Sequence, residues 1–173
     1  MFSYQIIKIG GLFNMENRLQ QLYGKLANHI SDMIPIKWWE LNFLGDMGKG
    51  EMLSAVFYFK ETEDGEFIRS FDIPERYNVS EEIFNQLQSD IYLILLELYQ
   101  CFKDEKQELW DQITLKLNSN GKFKVDFNYD IITEDEETDS LERDLIWAYK
   151  TCGYTSKSDY LNKIIEDYIQ RED

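Results

Sequence analysis

The feature that most narrows the fold of this chain is that its hydrophobic period keeps switching between the helical and the extended value. From Glu16 the apolar residues Leu19, Leu22, Tyr23, Leu26, Ala27, Ile30, Met33 and Ile34 recur at the spacing of a helix with one buried stripe, and Pro35 stops it. Residues 37–44 and 51–60 then alternate, with Trp39, Leu41 and Phe43 on one side of the first and Leu53, Ala55, Phe57 and Phe59 on one side of the second. This predicts two half-buried strands. The glycines of residues 45–50 read as the loop between them. Residues 62–65 turn the chain again, into a third strand expected around 67–71 in an antiparallel meander.

Ser80, with Glu81 and Glu82 behind it, offers an N-cap to a long helix through Ile83, Phe84, Leu87, Ile91, Ile94, Leu95, Leu98 and Phe102. Residues 91–98 are apolar nearly all round, so this helix is expected to be the most deeply packed element. Residues 110–117 and 122–127 alternate cleanly and predict a hairpin across residues 118–121, with Ile113, Leu115 and Leu117 set against Phe123, Val125 and Phe127. Two helices close the chain, one through Leu141, Leu145, Ala148, Tyr149 and Cys152 up to Gly153, the other through Leu161, Ile164, Ile165 and Tyr168. The order α-βββ-α-ββ-α-α is that of an α+β fold, an antiparallel sheet of about five strands packed by helices.

No repeat or Pro/Ser-rich linker divides the 173 residues, and a single domain is expected. One histidine, His29, and two cysteines, Cys101 and Cys152, exclude a Cys/His zinc site within one chain. Both cysteines lie in apolar helical stretches and are expected as reduced thiols. No catalytic triad context surrounds His29, which reads as an ordinary helical histidine. The glycines at 45, 48 and 50 match neither dinucleotide nor P-loop spacing. No cofactor or metal is expected. The first residues lack the layout of a signal peptide, and no apolar run reaches the length of a membrane span, so a cytoplasmic location is expected.

Charge is where the sequence speaks about partners. The net charge is −15, and residues 87–173 carry 10 basic against 20 acidic side chains. Direct binding to nucleic acid or an anionic membrane is disfavoured, because such affinity comes from Lys and Arg neutralising phosphates. The expected macromolecular partner is basic. The acidic peak is residues 130–142, where Asp130, Glu134, Asp135, Glu136, Glu137, Asp139 and Glu142 occur without one Lys or Arg. Residues 126–137 also match a calcium-loop spacing at Asp126, Asn128, Asp130, Glu134 and Glu137, but Ile131 stands where the turn requires glycine. The segment therefore reads either as a solvated loop or as a partner surface. Tyr129, Trp147 and Tyr149 lie beside it as candidate anchors; Trp147 and Tyr149 read equally as core residues of the short helix, and Trp147 is assigned to the core.

Several ordered motifs add a resemblance. Asp72-Ile73-Pro74, Trp110 before an alternating strand, Gly121-Lys122-Phe123-Lys124 with Asn128-Tyr129-Asp130, Glu142-Arg143 and Trp147-Ala148-Tyr149-Lys150 resemble the YezG-type immunity proteins, small acidic antitoxins of Firmicutes. The resemblance covers roughly residues 15–169. It leaves residues 1–14 as an N-terminal extension ahead of a single immunity domain at 15–173. It implies a protein that binds and neutralises the nuclease domain of a toxin exported by type VII secretion, with no catalytic residues of its own. The expected partner-binding residues are Asp126, Tyr129, Asp130, Glu134, Asp135, Glu136, Glu137 and Asp139. An acidic adaptor without a nuclease partner and a carboxylate/metal enzyme remain alternatives, and monomer and dimer are both open.

Overall fold

A computed structural model describes residues 11–48, 54–129 and 139–172, with side chains from Asn14 onward. The long first helix, α1 (Gly11–Met33), runs across the expected boundary between residues 14 and 15 and stops before Pro35. Strands β1 (Glu40–Asp46), β2 (Ser54–Lys60) and β3 (Ile68–Arg69) follow, then a single 3-10 turn at Ser70–Asp72 and a short helix α2 (Ile73–Tyr77). Helix α3 (Glu81–Asp104) comes next, then the hairpin β4 (Gln112–Asn118) and β5 (Phe123–Asn128), and finally α4 (Ser140–Cys152) and α5 (Asp159–Glu172).

All neighbouring strands are antiparallel, and their order in the sheet is β3-β2-β1-β4-β5. The meander and the hairpin are thus joined through β1, which pairs Gly45 with Ala55 on one side and with Ile113 on the other. The hairpin register sets Ile113 against Phe127, Leu115 against Val125 and Leu117 against Phe123, as its alternation predicts. Gly121, at φ 83°, supplies the left-handed residue of the turn. Local caps also fall where expected: Ser80 Oγ accepts from the Ile83 amide, and Gly153 closes α4 at φ 65°.

Helices cover both faces of the sheet. On one face α1 and α3 pack Leu26, Ile30, Ile91, Leu95 and Leu98 against Leu41, Phe43, Phe57, Phe59, Ile113 and Leu115. On the other, α4 and α5 bring Leu145, Ala148 and Ile165 against Leu44, Val56 and Tyr58. The expectation of half-buried strands is therefore corrected for β1 and β2, which are buried on both sides over nearly their whole length. The apolar run 55–59 is what such strands require.

Four smaller expectations also change. Gly45 lies inside β1 and not in the loop, paired with Ala55 and Ile113, and glycine is needed there because a Cβ would come within 2.9 Å of Ile113 Cγ2 and 3.0 Å of Leu95 Cδ1. Trp39, placed on the core side of the first strand, precedes β1 and is 44% exposed. In α3 only one side of residues 91–98 is buried, while Leu93 and Leu96 are 58% and 43% exposed. The third strand shrinks to two residues, since the chain turns helical at Ser70.

Candidate partner-binding site

Strand β5 leaves the sheet at Asn128, at the end where β1 finishes and β4 begins. Backbone bonds tie these three strand ends together: the Asp111 amide donates to Asn128 O at 2.9 Å, and the Met47 amide donates to Asp111 O at 2.7 Å. Helix α4 starts beside the same end, because Arg143 Nε in its first turn donates to Asp46 Oδ2 at 3.0 Å. Asp46 is fully buried. The acidic stretch thus leaves from Tyr129 and returns at Asp139, both fixed to one rim of the sheet.

Asp126, Tyr129 and Asp139 are the three expected site residues within the described part of the chain; Asp130, Glu134, Asp135, Glu136 and Glu137 lie outside it. Asp126 sits mid-strand on β5, half exposed, with Lys124 Nζ at 2.7 Å from its Oδ2. Tyr129 is partly buried and packs on the α1–α3 side of the core. Asp139 is the N-cap of α4, its Oδ1 accepting from the Glu142 amide at 2.8 Å. Its carboxylate therefore serves the helix end, where negative charge also complements the helix dipole. Asp126 and Tyr129 share the exit of β5, and Asp139 reaches the same rim through α4.

What holds α4 in place is a buried polar cluster that the sequence reading did not anticipate. Arg69 Nη2 and the Tyr58 hydroxyl each donate to the Asp144 carboxylate at 2.7 Å, and Arg69 Nε donates to the Tyr58 oxygen at 3.2 Å. Asp144 is 2% exposed. Burial pushes its carboxyl above the ordinary range, against the pull of Arg69 and of the two hydrogen bonds. Burial, and then the Asp144 charge, push the Tyr58 phenol up. For Arg69 burial works against the charge, but Asp144 outweighs it and the guanidinium is held above its usual value. One signal for this cluster was present in the sequence. Asp144 falls on the apolar stripe of its helix, three residues after Leu141 and four before Ala148.

The remaining candidates have structural explanations. Trp147 and Tyr149 are partly buried against the α4–α5 side of the core, with the Trp147 ring 6.3 Å from that of Tyr58. His29 Nε2 lies 2.9 Å from Leu87 O and links α1 to α3. Cys101 is buried, Cys152 is partly buried, and both are free thiols. Among the described residues no group of three His, Cys, Asp or Glu side chains is placed to hold a metal ion, and no helix is long and apolar enough to cross a membrane.

Comparison with known proteins gives a consistent set of relatives. Residues 19–166 match the family model described as immunity protein YezG-like. The chain is 32% identical to the immunity protein YezG of Bacillus spizizenii over 88% of its own length and 94% of the relative's. It is 30% identical to the immunity protein YezG of Bacillus subtilis over 87% and 99% of the two lengths. A third relative, the type VII secretion system protein EsaG of Staphylococcus aureus, is 32% identical over 90% and 96%.

Proposed function

Because the chain belongs to the YezG-like immunity protein family, we propose that it neutralises a nuclease toxin exported by a type VII secretion system. It does so in the cytoplasm of the producing cell, by binding the toxin's catalytic domain through an acidic surface and without chemistry of its own. The observation that carries this reading is the charge. A nuclease must present Lys and Arg to the phosphates of its substrate, and a body of net charge −15 competes for that basic surface. The carboxylates from Asp126 through Asp130, Glu134, Asp135, Glu136, Glu137 and Asp139 are its densest part, and Tyr129 is the aromatic anchor beside them. Similarity to a protein named for type VII secretion supports the export route of the partner.

Co-expression with a nuclease-type toxin domain encoded in the neighbouring reading frame tests the role. Restored growth and co-purification are expected, and failure of both overturns it for that toxin. The acidic surface is tested separately by exchanging Glu134, Glu136 and Glu137 for Gln and Asp135 for Asn. Association at low salt is expected to slow on the order of tenfold with the melting temperature unchanged. Unaltered association with intact capture would leave immunity standing and remove this segment from it.

A further inference from the structure

The sheet has two edges, and they differ in what they leave open. At one edge β3 is two residues long, its Arg69 is held by Asp144, and the chain turns helical immediately after it. At the other, β5 runs six residues with β4 as its strand neighbour, and no proline or positive-φ residue interrupts it. Its hydrogen-bonding phase can be read from both ends. Lys122 O accepts from Asn118 and Asn128 O accepts from Asp111, so the even-numbered residues face β4. In an antiparallel ladder the odd-numbered residues then point their N–H and C=O outward. Phe123 and Val125 thus carry two outward donors and two outward acceptors beside a Phe123 side chain that is 41% exposed.

Building on the immunity reading, we propose that β5 receives an extended, basic segment of the toxin as a sixth strand, bonded to the backbone of Phe123 and Val125. Charge sets the chemistry of that segment. Lys124 at the hairpin end is already matched by Asp126 at 2.7 Å, while between Asn128 and Glu142 every charged residue of the sequence is acidic. An incoming strand therefore bears Lys or Arg at the end beside Asp126 and Asn128, and an apolar residue over Phe123. Backbone bonds supply affinity in such strand addition, and side-chain pairing supplies selectivity.

Amide hydrogen exchange, free and with the toxin domain bound, tests the proposal directly. The Phe123 and Val125 amides are expected to exchange fast in the free protein and to be protected in the complex. The Lys124 and Asp126 amides, facing β4, stay protected in both. Binding without protection of Phe123 and Val125 overturns strand addition while leaving the immunity role intact; no binding at all overturns the role. Protection that grows with protein concentration in the absence of toxin would show that a second copy occupies the edge, and would also overturn the proposal. Val125→Pro removes an outward N–H at an edge position that tolerates proline, and is expected to weaken toxin binding roughly tenfold, with Val125→Thr close to the wild type. If Val125→Pro does not fold, the exchange pattern of the native chain still decides.

Discussion

Asp144 occupies a place on the buried stripe of α4 where an apolar residue would ordinarily sit, and it is tolerated there because Arg69 and Tyr58 complete its hydrogen bonds. A pair of this kind matters most when one member is removed. Asp144→Ala leaves the guanidinium buried without its counter-charge and is expected to destabilise the fold by about 3 to 5 kcal/mol in urea unfolding. The surface pair Lys25–Glu97, with both side chains about half exposed, is expected to shift stability by less than about 1 kcal/mol when broken. Alkaline pH probes the same region. Burial pushes the Cys152 thiol up to about 12 from its ordinary 9.0, and Tyr58 is raised too. The folded chain thus keeps protons that the unfolded chain has lost, so stability is fully present below the unfolded values and falls as pH rises through the window above 9. The urea midpoint is expected to decline from about pH 9 upward, and Cys152→Ala to make that decline shallower.

At the level of elements, Gly45 shows how tightly β1 is threaded between α3 and β4. Gly45→Ala places a methyl against Ile113 and Leu95 and is expected to cost about 1 to 3 kcal/mol, read from the denaturation midpoint. The elements the sequence foretold best are those specified locally. The β4–β5 register follows from alternation around one turn, and the starts and stops of α3 and α4 follow from Ser80 and Gly153. What was not legible depends on partners distant in the chain. The second buried face of β1 and β2 exists because α4 and α5 return to cover it, and the pairs Arg69–Asp144 and Arg143–Asp46 join residues from opposite halves of the sequence. A strand read by period two looks half-buried, and only the unbroken apolar run 55–59 hinted otherwise. The candidate site divides in the same way. Asp139 was legible as part of a charge run, but its capping role belongs to the geometry of α4.

Taken whole, the molecule is a three-layer body with its negative charge weighted toward the second half of the chain. If that charge steers the encounter with a basic toxin domain, the association rate constant is expected to fall by about tenfold or more between low salt and several hundred millimolar, with the dissociation rate changing far less. A salt-independent association rate would assign recognition to apolar and backbone contacts alone. The sheet order carries a further consequence for synthesis. Strand β1 sits at the centre, yet one of its two neighbours, β4, leaves the ribosome only after the whole of α3. Until then the nascent chain has an apolar strand with one edge bare, and β1·β4 closure is a non-local step of the slow kind. Translation order thus makes the strand that ends most enclosed the one whose edge waits longest for its partner.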